Sequence, residues 1–103
     1  MDSKEIEKRR LTLDDLAHRD DETDVEFWYA REIMPVFGYT QWRRFEDAVS
    51  RAMASAEASK TPDEHHFAEV GKMVSLGSGS KREVKDYMLT RYACYLIAMN
   101  GDP

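Results

Sequence analysis

The sequence predicts a small α+β domain, mostly helical with one β-hairpin, and with a helix-turn-helix or winged-helix-like outline. Two segments with helical apolar periodicity, within residues 30–37 and 41–59, are separated by a short turn that contains Gly38. Two runs rich in strand-forming residues flank the loop Gly77-Ser78-Gly79-Ser80, which is typical of a hairpin. The length of 103 residues suits one domain and not two.

Charge divides the chain into a polar N-terminal arm, residues 1–24, and a domain, residues 25–103. The net charge is −5, and residues 1–26 hold ten acidic and five basic side chains, whereas residues 27–103 hold ten of each. The run from Arg19 to Asp24 reads as a solvated linker. The domain is therefore neutral overall, and its basic residues can still gather on one face.

The sequence of the first half of the domain predicts a strand, a short helix and a long helix. Phe27, Trp28 and Tyr29 favour a strand, and residues 30–37 form a short helix that Gly38 ends. Thr40 is the expected N-cap of a helix from Gln41 to about Ser59. Its inner stripe consists of Trp42, Phe45, Val49, Met53 and Ala56.

The second half predicts a short helix, a hairpin and a last helix. Thr61-Pro62-Asp63-Glu64 is a strong helix start, and we expect that helix to end near Gly71. Residues 72–76 and 82–88 form the hairpin strands.

The last helix, Arg91 to Asn100, is expected to be the central core element. Thr90 caps it, and apolar residues surround it: Tyr92, Tyr95, Leu96, Ile97 and Met99. Cys94, the single cysteine, suits a buried thiol in a reducing cytoplasm. No apolar run is long enough to span a membrane, and the charged start of the chain does not indicate secretion.

Three segments carry a resemblance to a known family. They are Phe27-Trp28-Tyr29-Ala30-Arg31-Glu32 with Phe37-Gly38-Tyr39-Thr40-Gln41-Trp42, then residues 66–74, and then residues 76–103, which include Leu89-Thr90-Arg91-Tyr92 and Asn100-Gly101-Asp102-Pro103. In this order they resemble the DNA-damage-inducible protein D family. More distantly they are similar to the N-terminal domain of the BRO family, found in phage antirepressors and viral proteins.

The resemblance covers about residues 25–103 and implies a bacterial, cytoplasmic protein of the SOS response. It implies DNA binding, as described for BRO-type domains, and interference with RecA filaments. Family members continue beyond the position of Pro103, so functions of their C-terminal part are not carried over.

The candidate nucleic-acid-binding residues are seven basic side chains and one tyrosine. Arg43, Arg44 and Arg51 lie on the long helix, and Lys72, Lys81, Arg82 and Lys85 on the hairpin. Basic helix starts and hairpins contact phosphates in many DNA-binding domains, so these residues are expected to share one surface. The alternative is ordinary solvated charge, with Glu46, Asp47 and Glu83 as local partners. Tyr39, in the turn, is a candidate for stacking on bases, whereas Trp28 and Trp42 are expected in the core.

Catalysis, metal binding and cofactor binding have no positive support. His65 and His66 are adjacent, and neighbouring helical side chains diverge too far to hold one metal ion easily. The loop 77–81 lacks the full spacing of a phosphate-binding loop. No cofactor is expected, and the chain reads as a binding module and not an enzyme.

The sequence thus predicts a DNA- or nucleoprotein-binding domain. Its expected partners are single- or double-stranded DNA, the RecA nucleoprotein filament, or both, with no membrane partner. A homodimer would raise the avidity of a site with so few basic residues. The alternative is a protein-interaction or oligomerisation module without direct DNA contact.

Overall fold

A four-stranded antiparallel sheet organises the domain in a computed structural model that describes residues 13–59 and 66–101. The strands are β1 (His18–Arg19), β2 (Glu26–Tyr29), β3 (Phe67–Ser75) and β4 (Lys81–Leu89), in the order β1-β2-β4-β3. Three helices lie wholly within the described residues: α1 (Ala30–Ile33), α2 (Trp42–Ala58) and α3 (Arg91–Asn100), with a 3₁₀ turn at Pro35–Phe37. Residues 13–15 are helical too.

The domain is α+β, but the prediction of a mostly helical domain with a helix-turn-helix or winged-helix-like outline is wrong. The first predicted helix is only four residues of α helix followed by the 3₁₀ turn, and it lies against β4. The hairpin is not a peripheral wing, because β4 pairs with both β3 and β2 in the centre of the sheet. Gly38 does end the short helical segment, in the left-handed conformation at φ 84°.

The β3–β4 hairpin is confirmed and is longer than predicted. Its register runs from Phe67 opposite Leu89 to Ser75 opposite Lys81. Residues 67–71 therefore belong to a strand, and the predicted helix ending near Gly71 is wrong for them. The helix-start signal at residues 61–64 lies outside the described residues.

The alternation of strand side chains gives the sheet two different faces. The inner face carries Trp28, Phe67, Tyr87 and Leu89, all at most 5% exposed. The outer face carries half-buried side chains, among them Phe27, Tyr29, Lys72, Val84 and Met88. Only the inner face is covered by α2 and α3, and the core lies there.

Small side chains allow α2 and α3 to pack closely on each other over the inner face. The buried stripe of α2 follows helical spacing and consists of Phe45, Ala48, Val49, Ala52 and Ala56. It meets Ala93, Cys94, Leu96 and Ile97 of α3. Burial raises the pKa of the Cys94 thiol to about 12, so this cysteine stays protonated.

Helix α3 is amphipathic and not encircled by the core as expected. Tyr92, Tyr95 and Met99 are 36%, 49% and 73% exposed, and they lie on one side of the helix. The predicted cap is confirmed, since the Thr90 hydroxyl accepts the N–H of Ala93 at 3.2 Å. The exposed side of α3 is therefore a surface and not part of the core.

Part of the predicted N-terminal arm packs on the domain. Leu13 is 5% exposed, and its carbonyl accepts the indole N–H of Trp28 at 2.6 Å. The guanidinium of Arg91 donates to both carboxylate oxygens of Glu26, at 2.8 and 3.2 Å, and to Asp14 at 3.1 Å. The segment from residue 13 to β1 is thus tied to β2 and to the start of α3.

Replacing Leu96 with alanine should lower the free energy of unfolding by about 2–5 kcal/mol, because it removes buried methyl groups and leaves a cavity. Met99→Ala on the same helix is the matched control, and its effect should stay within about 0.5 kcal/mol because Met99 is 73% exposed. Urea denaturation of both variants measures the difference. Equal losses would contradict the described orientation of α3.

The Glu26–Arg91 ion pair should make stability depend on pH. The hydrogen bond from Arg91 lowers the pKa of Glu26 below its ordinary value of 4.5. The free energy of unfolding of the wild type should therefore be about 0.5–1 kcal/mol higher than that of Glu26→Gln at neutral pH, after allowance for solvent screening. That difference should disappear as the pH falls below 4.5 and Glu26 takes up a proton.

Denaturation curves at several pH values measure this dependence. Glu22→Gln is the control, because Glu22 makes no ion pair within the described part of the chain. A Glu26→Gln deficit that persists unchanged in acid would show that the ion pair is not its source.

Candidate nucleic-acid interface

The start of α2 presents two arginines together with free backbone donors. Arg43 and Arg44 are the second and third residues of the helix, and both are exposed. The first turn contains no acidic residue, and no side chain of the described residues caps the helix. The first helical hydrogen bond runs from the Phe45 N–H to the Gln41 carbonyl. A helix start carries positive potential, which adds to that of the arginines.

Arg31 lies beside this helix start and was missed by the sequence analysis. Its guanidinium sits 4.0 Å from the centre of the Trp42 ring, and its Nε donates to the Lys85 carbonyl at 2.7 Å. Its backbone N–H donates to the buried carboxylate of Asp86 at 3.0 Å. No local spacing connects residue 31 with residue 42, so only the tertiary fold reveals this third arginine.

Lys85 lies on the inner side of β4, next to α2, but its charge is matched. Its ammonium group is 3.0 Å from Glu46 of α2 and 3.0 Å from Glu69 of β3. Hydrogen bonds to Tyr87 and to these two carboxylates raise the pKa of Lys85 above its ordinary value. Lys85 is therefore always charged, and two carboxylates already neutralise it.

Lys72 lies on the opposite side of the sheet from α2. Its ammonium group is 4.0 Å from a carboxylate oxygen of Glu32, whose other oxygen lies 2.7 Å from the His18 ring. The Lys72 ammonium group also lies 5.6 Å from the centre of the Tyr29 ring. Lys72 thus belongs to a cluster on the outer face and does not join the arginines of α2.

The remaining predicted cations have separate positions. Arg51 is exposed, and its Nε donates to the Asn100 carbonyl at 3.0 Å, so it caps the end of α3. Lys81 and Arg82 are exposed at the tip of the hairpin and make no ion pair among the described residues. As neighbours in a strand they point to opposite faces.

The predicted single basic surface is therefore only partly assembled. The arginines of α2, Lys81 and Lys85 lie on the inner side of the sheet, whereas Lys72 and Arg82 lie on the outer side. Arg43 and Arg44 are exposed, adjacent and without an acidic partner in the described ranges, and unlike Arg82 on the outer side they lie at a helix start, so they are the residues best placed to meet an anion.

Tyr39 is not placed to stack on a base. It is 5% exposed, and its ring packs 5.1 Å from the ring of Phe45. Its hydroxyl is buried without a hydrogen-bond partner in residues 13–59 and 66–101. The aromatic signal in the turn reflects core packing and not a binding surface.

The described residues contain neither a cluster of metal-binding side chains nor a membrane-spanning helix. Within them, no group of three His, Cys, Asp or Glu side chains is arranged to hold a metal ion. None of their helices has the length and apolar character needed to cross a membrane.

Replacing Tyr39 with phenylalanine should leave stability unchanged or raise it by about 1 kcal/mol, because a buried hydroxyl without a partner is costly. Tyr87→Phe is the matched control, and it should lower stability, since the Tyr87 hydroxyl donates to Glu46 at 3.4 Å. Thermal melts of both variants measure the contrast. A clear loss for Tyr39→Phe would reveal a hydrogen bond that the described residues do not supply.

Comparison with known proteins identifies the family of this fold. The family model described as "BRO family, N-terminal domain" matches residues 17–103. The chain is 44% identical over 79 residues to a protein of Escherichia coli (strain K12) named DNA damage-inducible protein D, a stretch that is 77% of this chain and 29% of that protein. The chain thus spans less than a third of that relative, and no solved structure matches it. The chain belongs to the BRO family N-terminal domains.

Proposed function

We propose that this domain is a non-catalytic DNA-binding module of a bacterial DNA-damage response, and that it acts in the cytoplasm. The start of α2 would hold backbone phosphates through Arg43, Arg44 and the first N–H groups of the helix. The context comes from the family and from the printed name of the E. coli relative.

The observation that carries the proposal is the surplus of positive charge at the start of α2. Arg43 and Arg44 have no acidic partner within 4.0 Å among the described residues. Lys85 is matched by Glu46 and Glu69. Lys81 and Arg82 at the hairpin tip, unpaired in the described part of the chain, point to opposite faces of the sheet, so neither provides such a surplus. A phosphate is the group that complements guanidinium forks and helix N–H donors at the same time.

The size of this site predicts weak binding by one domain. Two arginines and a helix start contact few phosphates, and non-specific binding of that kind has a Kd of roughly 10⁻⁴–10⁻⁶ M at physiological salt. Phosphate contacts fix position but do not read sequence. The module would therefore depend on multiplicity, or on the rest of a longer protein, for tight or specific binding.

The double variant Arg43→Ala/Arg44→Ala should bind DNA more weakly at low salt. For duplex DNA, each phosphate contact contributes about 0.9 to the steepness of the plot of log K against log salt concentration. Losing two contacts should therefore make that slope shallower by about two. Fluorescence anisotropy with labelled single-stranded and duplex DNA at several salt concentrations measures both quantities.

Lys72→Ala is the matched control, because it removes one positive charge from the outer face of the sheet. Its affinity should remain near that of the wild type, and its slope should not change. Equal affinities of the double variant and the wild type would refute the role of the arginines. If the loss of affinity for each positive charge removed is the same in Lys72→Ala as in the double variant, binding responds instead to overall charge.

A second candidate function, protein interaction without direct DNA contact, is favoured by the exposed side of α3. Tyr92, Tyr95 and Met99 form an apolar surface of a composition common in interfaces. A RecA filament is the partner that the family resemblance suggests. Tyr95→Ala/Met99→Ala should then abolish binding to RecA on DNA at high salt, whereas the arginine variant should keep it.

A further inference from the structure

Strand β3 lies at an edge of the sheet, where one row of its backbone groups has no partner within residues 13–59 and 66–101. The bonds from Thr90 N–H to the His66 carbonyl (3.1 Å) and from Leu76 N–H to the Ser80 carbonyl (2.8 Å) flank its ladder with β4. Since bonding positions alternate in an antiparallel pair, the even-numbered residues of β3 bond to β4. The N–H and carbonyl groups of the odd-numbered residues point to the free edge: Phe67, Glu69, Gly71, Met73 and Ser75.

This edge carries two charged side chains, Glu69 and Lys72, but its backbone is open to pairing with another strand. Within residues 13–59 and 66–101, no backbone bond to the outward groups is made from outside the β3–β4 pair. The strand is nine residues long and contains no proline, and Glu69, Gly71 and Met73 are all exposed. Long open edges of this kind pair with other strands.

Symmetry limits how a second copy can pair with this edge. A continuous antiparallel sheet requires a two-fold axis normal to the sheet, so facing residues lie on the same face and their numbers sum to an even value. Centring the axis on Glu69 or on Lys72 would place like charges opposite each other, which is unfavourable. Centring it on Gly71 overlaps all nine residues and uses every outward backbone group.

Side chains also favour the centre at Gly71. Glu69 of each copy then lies opposite Met73 of the other, and Lys72 lies opposite Val70, so no two like-charged side chains of β3 are directly opposite each other. Gly71 has no side chain, and Lys85 is its partner on β4. The Glu83 side chain of β4 lies over Gly71, where an added Cβ would be 2.5 Å from its carboxylate, so the two Glu83 carboxylates approach each other near the axis, each with Lys85 as a neighbouring cation on its own strand.

We infer that two copies of this chain pair through β3, antiparallel and centred on Gly71, to form one continuous eight-stranded sheet. The inference does not rest on DNA binding. Because the two-fold axis is normal to the sheet, both copies of α2 lie on the same side of it. Two helix starts on one side would raise avidity for any extended anionic partner.

Sedimentation velocity over a concentration series tests the pairing with a set of charge variants. Met73→Glu places a carboxylate opposite Glu69 of the second copy at two symmetric positions, and it should raise the dimer Kd by about tenfold. Met73→Lys should lower the Kd, since it places opposite charges together. Glu69→Lys/Met73→Glu also places opposite charges together and should bring the Kd back at least to the wild-type value.

Leu76→Glu is the matched control, because Leu76 is an exposed apolar residue outside the nine-residue overlap. It should leave the Kd unchanged, and thermal melts at low concentration establish that each variant is folded. A wild type that stays monomeric up to about 1 mM overturns the inference. The inference is also overturned if the dimer Kd changes in the same direction for Met73→Glu and Met73→Lys. It is overturned as well if the Kd of the double variant stays as high as that of Met73→Glu.

Discussion

The buried carboxylate of Asp86 is the contact on which the layout of the domain depends. Asp86 is 0% exposed, and one of its oxygens accepts the N–H of Arg31 at 3.0 Å and the N–H of Tyr87 at 2.8 Å. Burying a carboxylate is costly unless hydrogen bonds replace its lost water. The two backbone donors offset that cost at Oδ1 only, because Oδ2 is buried without a hydrogen-bond partner among the described residues. The same two bonds fix where the chain leaves β2 and begins α1.

The path of the chain from the sheet to α2 follows from this contact. Since α1 begins at the side of β4, Arg31 reaches both the Lys85 carbonyl and the face of Trp42. Trp42 is the first residue of α2, so the same arginine connects β4 with the start of the long helix. The short α1 is therefore a connector held by tertiary bonds, and this explains why four residues suffice for it.

Local signals in the sequence predicted the elements that are determined locally. The Gly-Ser loop identified the hairpin, Thr90 identified the start of α3, and helical spacing identified α2. The helix-turn-helix prediction failed because a glycine turn does not specify how long the preceding helix is or what it packs on. The two-residue β1 has no pattern of its own, since it exists only through its pairing with β2.

The candidate site was predictable only where a residue's position depends on local sequence. Arg43 and Arg44 were found because their position at a helix start is a local property. Tyr39 was wrongly expected on the surface, since its burial depends on Phe45 and on the approach of Gly101, where an added Cβ would lie 2.5 Å from the Tyr39 hydroxyl. Arg31 was missed because only the contact with Asp86 carries it to α2.

The distribution of carboxylates decides which cations remain available. Strand alternation sends Lys72 and Lys85 to opposite faces, and a carboxylate meets each of them there. Exposed charges more than about 10 Å apart are largely screened at 0.1 M salt, so the net charge of −5 has little influence at a particular point of the surface. An approaching anion responds to the local excess at Arg43 and Arg44, on the side where α2 covers the sheet. A domain with an acidic average can therefore present a basic site, provided that its acids are already engaged in holding the fold together.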